Sequence, residues 1–199
     1  SNVIDQEKMA VILQEVVGNQ YGDRYYPSMS GVARSLNYYP LGDEKAEEGT
    51  VNLALGLGKY IVDGGMTLRF SPYHPNQVLQ TSENGNRSEK RPQTPFLCFG
   101  FKKMPDMIFS IDDGFNFTET PCQRGGKRWC LRYIASTYDP YDQIIRDGLY
   151  PGGRKVITFA NILQHDVFPL ARILQLVLKY GEQEMRRPVE IEFAATLSR

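Results

Sequence analysis

The chain has 199 residues, which suits one domain with a sizeable core and is too short for two ordinary domains. Its 23 basic residues balance 23 acidic ones, so no overall field attracts a polyanion, which argues against a general nucleic-acid or membrane-surface role. Because no run approaches the roughly 18 apolar residues that span a bilayer, and the N-terminus lacks the features of a signal peptide, we expect a cytoplasmic protein.

The first predicted element is an apolar run near the N-terminus. Residues 9–17 are almost continuously apolar, and Gly18 ends the run. A run of this length favours a strand buried on both faces over a short helix. Only Gln14 and Glu15 interrupt it. We therefore expect a buried strand here.

Two motifs rich in small residues follow. Residues 28–35, which include Ser30-Gly31-Val32, are predicted to form a turn, with Arg34 available to meet an anion. The glycines of Gly56-Leu57-Gly58, after a predicted strand, either let backbone amides approach a ligand or simply turn the chain. The chain has neither the GxxxxGK motif of P-loop NTPases nor a complete GxGxxG, so neither of those nucleotide-binding folds is supported. Both motifs are compatible with a purely structural role.

The middle of the chain is predicted to be rich in strands. Segments bounded by Gly, Pro or Asn predict strands at residues 50–55, 67–70, 96–99, 131–136 and 155–159. Residues 107–111 and 115–118 flank Asp112-Asp113-Gly114, whose glycine can adopt a positive φ, and this pattern predicts an antiparallel hairpin.

One long helix is predicted in the C-terminal part. It begins near Asp166, whose side chain can cap it, and tolerates Pro169 in its first turn. The spacing predicts an apolar face that packs on a sheet, made of Leu170, Ile173, Leu174 and Val177. The side chains predicted to face water are Arg172, Gln175 and Lys179. Pro188 prevents the helix from continuing.

The last predicted strand, residues 188–194, places two carboxylates on one face. Alternation buries Val189, Ile191 and Phe193 on one side and leaves Glu190 and Glu192 side by side on the other. Repulsion between two like charges is relieved by a divalent cation or by a basic partner. The strand therefore indicates a metal-nucleotide site, with a solvated strand face as the alternative.

In chain order, these segments resemble the nucleotide-binding domain of phosphoenolpyruvate synthase and pyruvate phosphate dikinase, a member of the ATP-grasp superfamily. The family's apolar strand with Gln is similar to residues 10–17, and its Ser-Gly-Val motif is similar to Ser30-Gly31-Val32. Its Gly-Leu-Gly-Glu and Val-Val-x-Gly motifs are similar to Gly56-Leu57-Gly58-Lys59 and Ile61-Val62-Asp63-Gly64. Its Asp-Ile-Glu strand, preceded by a helix, is similar to Glu190-Ile191-Glu192.

The resemblance implies an α+β fold: an ATP-grasp-like lobe with a largely antiparallel sheet packed by a few helices, whose long C-terminal helix leads into an acidic edge of the sheet. It implies that residues 1–199 form one domain, the C-terminal part of an ATP-grasp domain and a fragment of a larger phosphotransferase. In the family, ATP phosphorylates a histidine on a separate domain, and the phosphoryl group passes on to pyruvate. The expected partners are thus the N-terminal ATP-grasp lobe and the phosphohistidine domain of the parent chain, with pyruvate reached indirectly, and neither nucleic acid nor a membrane.

The resemblance also assigns ATP and Mg²⁺ as cofactors and gives site residues their roles. Backbone groups of Glu15 and Val17 would bind adenine, and Gln14 would add a side-chain contact. Glu192 would bind the magnesium that bridges the phosphates. Glu190 would take the place of the family's aspartate, as a second metal ligand and catalytic carboxylate.

Several departures from the family pattern limit these expectations. Lys59 replaces the usual acid, and Ala33-Arg34-Ser35 follows Ser-Gly-Val where the family has Phe-Thr. The family's phosphate-binding lysine and arginine, and its Gln-x-Arg after the acidic strand, have no counterpart in this chain. We therefore expect the chain alone to be catalytically incomplete and to bind ATP weakly or undetectably. Two alternatives are a non-catalytic nucleotide-sensing or regulatory domain and a structural, β-rich interaction domain.

Overall fold

The computed structural model of the protein describes residues 10–21, 24–58, 61, 67–81, 97–102, 117–121 and 131–197. Across these residues the chain combines strands with a few helices, and all paired strands run antiparallel. The expected α+β class with largely antiparallel sheets is confirmed at this level. No helix in this part of the chain is long and apolar enough to cross a membrane.

The described residues form strands, three α-helices and one 3-10 helix (Ala46–Glu48). The strands are β1 (Asn19–Tyr21), β2 (Arg24–Tyr26), β3 (Met29–Arg34), β4 (Thr50–Ala54), β5 (Thr67–Ser71), β6 (His74–Thr81), β7 (Leu97–Lys102), β8 (Phe117–Pro121), β9 (Ala135–Asp139), β10 (Ile144–Asp147), β11 (Arg154–Ile157) and β12 (Glu190–Ala195). The helices are α1 (Leu131–Ile134), α2 (Ala160–Leu163) and α3 (Leu170–Met185).

The strands form three sheets. The largest, which we call the central sheet, has the order β12-β3-β4-β5-β6. The two smaller sheets have the orders β1-β2-β7-β8 and β10-β9-β11. Since β12 lies late in the sequence and pairs with β3, the central sheet brings together residues more than 150 positions apart, such as Arg34 and Glu190.

One face of the central sheet is apolar and forms the core. Directly opposite residues on neighbouring strands share a face, and Phe193, Gly31, Leu53 and Leu68 form one such row. Long helix α3 buries one leucine per turn in the same core. Buried core residues include Met29, Val51, Leu53, Leu68, Phe70, Ile162, Leu163, Leu170, Leu174 and Leu178.

Edge strand β12 is fixed to β3 in its middle and at both ends. The Phe193 ring lies across Gly31, since a Cβ on this glycine would be 2.4 Å from the Phe193 Cζ atom. The hydrogen bonds beside the ends run from Ser35 N–H to Val189 O (2.9 Å), from Val189 N–H to Ser35 Oγ (3.0 Å) and from Leu197 N–H to Ser28 Oγ (3.0 Å). These contacts fix the register that decides which β12 side chains face away from the core.

Most of the predicted strands are confirmed. Strands β4, β5, β7 and β11 lie at the segments predicted for 50–55, 67–70, 96–99 and 155–159. The strand predicted for 188–194 is β12, and its side chains alternate in exposure as expected. Of the hairpin predicted around Asp112-Asp113-Gly114, only β8 lies within the described residues, where it pairs with β7.

The prediction of one strand over residues 131–136 is wrong in its first part. Residues Leu131–Ile134 form the single turn α1, and the strand begins at Ala135. The amides of Thr158 and Phe159 both donate to the Ile134 carbonyl, at 3.1 and 2.9 Å, where the chain leaves the helical turn. A short apolar run is compatible with either structure, and its periodicity does not separate the two.

The prediction of a buried strand over residues 9–17 is wrong for its described part. Residues 10–17 belong to no strand, and Val11, Ile12 and Leu13 are 81%, 87% and 93% exposed. An apolar run becomes a buried strand only where another element covers it. No described strand pairs with this segment.

The two small-residue motifs differ in outcome. Ser30-Gly31-Val32 is not the predicted turn but part of β3, where Gly31 makes room for the Phe193 ring. Gly56-Leu57-Gly58 does follow a strand, and Gly56 adopts a φ of 79°, a conformation that favours glycine. The expected turn is present, and the close approach of its backbone amides to a ligand stays a prediction.

The long predicted helix is present but begins later and buries a different stripe. Asp166 has a φ of 49° and does not cap α3, whose first residue follows Pro169. Leu178 is buried with Leu170 and Leu174, whereas Ile173 and Val177 are exposed. The helix therefore packs along an i, i+4, i+8 line. Instead of facing water, Gln175 donates a 2.8 Å hydrogen bond to the Pro72 carbonyl.

A buried ion pair connects the loop after β3 to strand β5 of the central sheet. Arg69 in β5 holds the Glu44 carboxylate with two hydrogen bonds, of 2.8 and 2.6 Å. Asn37 and the Leu41 amide also donate to this carboxylate, at 2.9 and 3.1 Å. Burial alone would raise the pKa of Glu44, but these hydrogen bonds and the charge of Arg69 lower it below its ordinary value of 4.5.

We expect Glu44→Gln to destabilise the fold strongly, because it leaves the buried Arg69 guanidinium without a counter-charge. Breaking a buried pair from one side costs about 3–5 kcal/mol, which urea unfolding would measure as a lower free energy of unfolding. Replacing both partners, as in Glu44→Leu with Arg69→Met, should cost less than the single change. The matched control is Asp142→Asn, in the exposed Asp142–Arg146 pair, and should change stability little.

The Glu44–Arg69 pair predicts how the stability of the fold changes with pH. In the unfolded chain the Glu44 carboxyl has its ordinary pKa, and in the folded protein its pKa is lower. The pair therefore stabilises the fold fully above about pH 4.5, and this contribution is lost as the pH falls through the folded-state pKa. Glu44→Gln should flatten this acid-induced loss, and an unchanged slope would contradict the assignment.

We expect Gly31→Ala to destabilise the pairing of β12 with β3. The added Cβ would meet Phe193 Cζ at 2.4 Å and the Asn52 carbonyl oxygen at 2.8 Å, so the ring or the backbone must move. Overpacking of this kind costs about 1–3 kcal/mol and is measured by urea unfolding. Gly58→Ala is the control, because its Cβ would find its nearest neighbour at 3.8 Å. Equal losses in both variants would show that the Phe193 contact is unimportant.

Candidate functional site

The second face of the central sheet carries the polar residues of β3 and β12. Directly opposite pairs on this face are Glu190 with Arg34, Glu192 with Val32, and Ala194 with Ser30. Because cross-strand neighbours share a face, the side chains of Glu192 and Ser30 lie on the same side, offset by two residues along the strands. This face is opposite the Phe193 ring and the core.

A pocket of about 270 Å³ lies on this face. One wall is the segment 14–17, which precedes β1, and the other walls come from β3, β12 and the turn after β4. The lining residues are Gln14, Glu15, Val16, Val17, Ser30, Gly31, Val32, Gly58, Glu192, Phe193 and Ala194. The segment 14–17 and β12 lie near opposite ends of the sequence, and the fold brings them together as walls of one pocket.

Tyr25 in β2 holds the segment 14–17 in place. Its hydroxyl donates a 3.1 Å hydrogen bond to the Val16 carbonyl. Its ring also packs against Gly18, where a Cβ would be only 2.6 Å from the ring. Since β1 and β2 pair antiparallel, the ring reaches back over the residues before β1. A side chain at position 18 would push this wall away from Tyr25.

The two glutamates of β12 have different surroundings. Glu190 accepts a hydrogen bond from the Arg34 guanidinium, with which it forms an ion pair. Among the described residues, none forms a hydrogen bond or an ion pair with Glu192, which faces the pocket. The Arg34 charge therefore relieves the repulsion between the two carboxylates, and Glu192 is left available to a ligand.

The carboxylates that line the pocket are compatible with a divalent cation bound together with a larger ligand. Within the part of the chain that the structure describes, no group of three or more His, Cys, Asp or Glu side chains could enclose a metal ion. Glu192 supplies one carboxylate to the pocket, and Glu15 lines the opposite wall. Mg²⁺ is commonly held by one or two carboxylates together with substrate phosphates and water. The residues present fit a magnesium-phosphate ligand better than a free ion.

The structure brings together most of the site residues predicted from the sequence. Gln14, Glu15 and Val17 line the pocket together with Glu192. Glu190 does not line it: it lies two residues before Glu192 in β12, in the ion pair with Arg34. Its roles as metal ligand and catalytic carboxylate remain predictions.

Two contributors were missed in the sequence. Ser30 was assigned to a turn, although its alternation with Gly31 and Val32 is compatible with a strand whose small residues face a ligand. Tyr25 gave no signal of its own, because its contact with Val16 depends on the β1–β2 pairing. A side chain that acts through tertiary contacts cannot be recognised from local spacing.

Protein-family models, curated protein sequences and solved structures were each compared with the chain, and none of them matches it. The functional interpretation therefore depends on two observations. One is the order of motifs along the sequence, and the other is the pocket in which segment 14–17 meets Glu192.

Proposed function

We propose that the pocket binds part of ATP together with Mg²⁺, and that the chain is an ATP-grasp-like lobe of a phosphotransferase similar to phosphoenolpyruvate synthase or pyruvate phosphate dikinase. One observation carries the proposal. Gln14, Glu15 and Val17, expected at the adenine, line the same pocket as Glu192, expected at the metal. The resemblance predicts Gln14, Glu15 and Val17, whereas both strand alternation and the resemblance predict Glu192, and the two sets lie at opposite ends of the sequence.

The adenine would lie against the segment 14–17. Tyr25 binds the intervening Val16 carbonyl, which leaves the backbone groups of Glu15 and Val17 for the base. At about 270 Å³ the pocket is slightly smaller than typical ligand pockets, so it would hold part of the nucleotide.

The phosphates would lie toward Glu192, which would hold Mg²⁺ through its carboxylate. The ion would neutralise charge on the phosphate oxygens during phosphoryl transfer. Glu190 would keep Arg34 at the rim of the site. Its predicted role as a second metal ligand would require it to release this arginine.

The proposed reaction requires further domains. By the resemblance, an N-terminal ATP-grasp lobe supplies phosphate-binding lysine and arginine residues, and a separate domain carries the histidine that is phosphorylated on the way to pyruvate. Catalysis in the assembled protein would consist of positioning and electrostatic stabilisation. Binding of ATP by this chain alone should be weak, and a cytoplasmic location remains part of the proposal.

A second candidate function is nucleotide sensing without turnover. The ion pair between Glu190 and Arg34 favours it, because one of the two acidic residues of β12 is already neutralised by the protein. Such a domain would bind ATP through the same pocket and would not transfer its phosphate. Transfer of labelled phosphate from ATP to a histidine of the full-length protein would exclude this alternative.

We expect Glu192→Ala to weaken magnesium-dependent ATP binding by at least about tenfold, or roughly 1.4 kcal/mol. The reason is the loss of the carboxylate that faces the pocket. Calorimetric titration of the full-length protein with ATP, in the presence and absence of Mg²⁺, measures this change.

Glu184→Ala is the matched control. Glu184 is an exposed glutamate of α3 that does not line the pocket, so its replacement should leave ATP affinity unchanged. Failure of the wild-type protein to bind ATP would contradict the proposed function. Equal affinity of wild type and Glu192→Ala would contradict the assigned metal position.

A further inference from the structure

Ser30, which lines the pocket, carries a hydroxyl group without a hydrogen-bond partner among the described residues. Ser30 is 2% exposed, and its Oγ atom makes no hydrogen bond within the described part of the chain. Nearly all buried polar groups in folded proteins are paired, because a buried hydroxyl that has given up water without a replacement destabilises the fold. An unpaired hydroxyl at this position therefore calls for an explanation.

The position of Ser30 indicates where a partner would come from. Ser30 lies opposite Ala194, on the pocket face of β3, and is the diagonal neighbour of Glu192. Diagonal neighbours in an antiparallel pair are about 7–8 Å apart at Cα, a span that a phosphate group with its metal ion can bridge. The turn at Gly58 approaches from the other side, where a Cβ would be 3.8 Å from the Ser30 Oγ atom.

The surroundings also limit which ligand group suits this hydroxyl. Its neighbours on the pocket side are Glu192, whose carboxylate has no partner among the described residues, and Gly58, which contributes no side chain. A hydroxyl donates one hydrogen bond readily to an anionic oxygen. A phosphate oxygen whose charge is shared with a metal at Glu192 satisfies both groups together, whereas an apolar ligand group would satisfy neither.

We propose that Ser30 is a ligand-binding residue whose hydroxyl donates a hydrogen bond to a phosphate oxygen of the bound nucleotide, an inference that rests on the proposed function. In the free protein the hydroxyl is kept unpaired at a cost in stability, and the ligand supplies the missing acceptor. Ser30 thus recognises the phosphate end of the ligand, and the segment 14–17 binds the base.

The proposal predicts opposite changes in stability and affinity for Ser30→Ala. Without ligand, removing the unpaired hydroxyl should raise Tm by about 2–4 °C for a protein of this size. Affinity for ATP in the presence of Mg²⁺ should fall by about three- to tenfold, because a ligand hydrogen bond is lost. Thermal unfolding and calorimetric titration of the full-length protein measure the two changes.

Thr50→Val is the matched control, since the Thr50 hydroxyl is also buried and unpaired among the described residues, but it lies outside the pocket lining. This variant should raise Tm and leave ATP affinity unchanged. Equal ATP affinity of wild type and Ser30→Ala would overturn the role of Ser30 and leave the proposed function intact. A lower Tm in Ser30→Ala would assign the hydroxyl a structural role, and a similar loss of affinity in Thr50→Val would show an indirect packing effect. Absence of ATP binding by the wild type would overturn both proposals.

Discussion

The antiparallel pairing of β12 with β3 is the constraint on which the candidate site depends. It places Glu192 opposite Val32 and Ala194 opposite Ser30, and a shift by one residue would turn both acidic side chains of β12 into the core. The Phe193 ring over Gly31 and the serine hydrogen bonds beside the strand fix this register. Packing on the apolar face thus determines which side chains lie on the opposite face.

The charges on that opposite face are divided between structure and ligand binding. Arg34 holds Glu190, so the strand carries one neutralised carboxylate and one that is available in the pocket. Ser30, the diagonal neighbour of Glu192, adds a hydroxyl that is unpaired among the described residues. Under the proposed function, a metal-bound phosphate would supply a counter-charge to Glu192 and a hydrogen-bond acceptor to Ser30. The buried Ser30 hydroxyl is unpaired at a cost in stability, whereas the Glu192 carboxylate is exposed to water.

The sequence predicted β4, β5, β7, β11 and the acidic strand β12 correctly, because period-two alternation and turn residues are local signals. It predicted a turn where β3 lies. It failed for residues 10–17, whose apolar character predicted burial while Val11, Ile12 and Leu13 are exposed. It also failed for Ile173 and Val177 of α3, since the crossing of a helix over a sheet decides which side of a broad apolar face is covered. The pocket could be foreseen only as a set of motifs. The ion pair of Arg34 with Glu190 and the contact of Tyr25 with Val16 arise from pairings that no local pattern encodes.

The central claim is that segment 14–17 and the β3–β12 face bind one ligand together. Hydrogen exchange of the full-length protein, followed by mass spectrometry with and without ATP and Mg²⁺, tests it most directly. The account predicts slower exchange in peptides that cover residues 14–17, 30–32 and 192–194, and unchanged exchange in the β10-β9-β11 sheet. Protection confined to one of the three pocket segments, or found only in the β10-β9-β11 sheet, would contradict a shared nucleotide pocket.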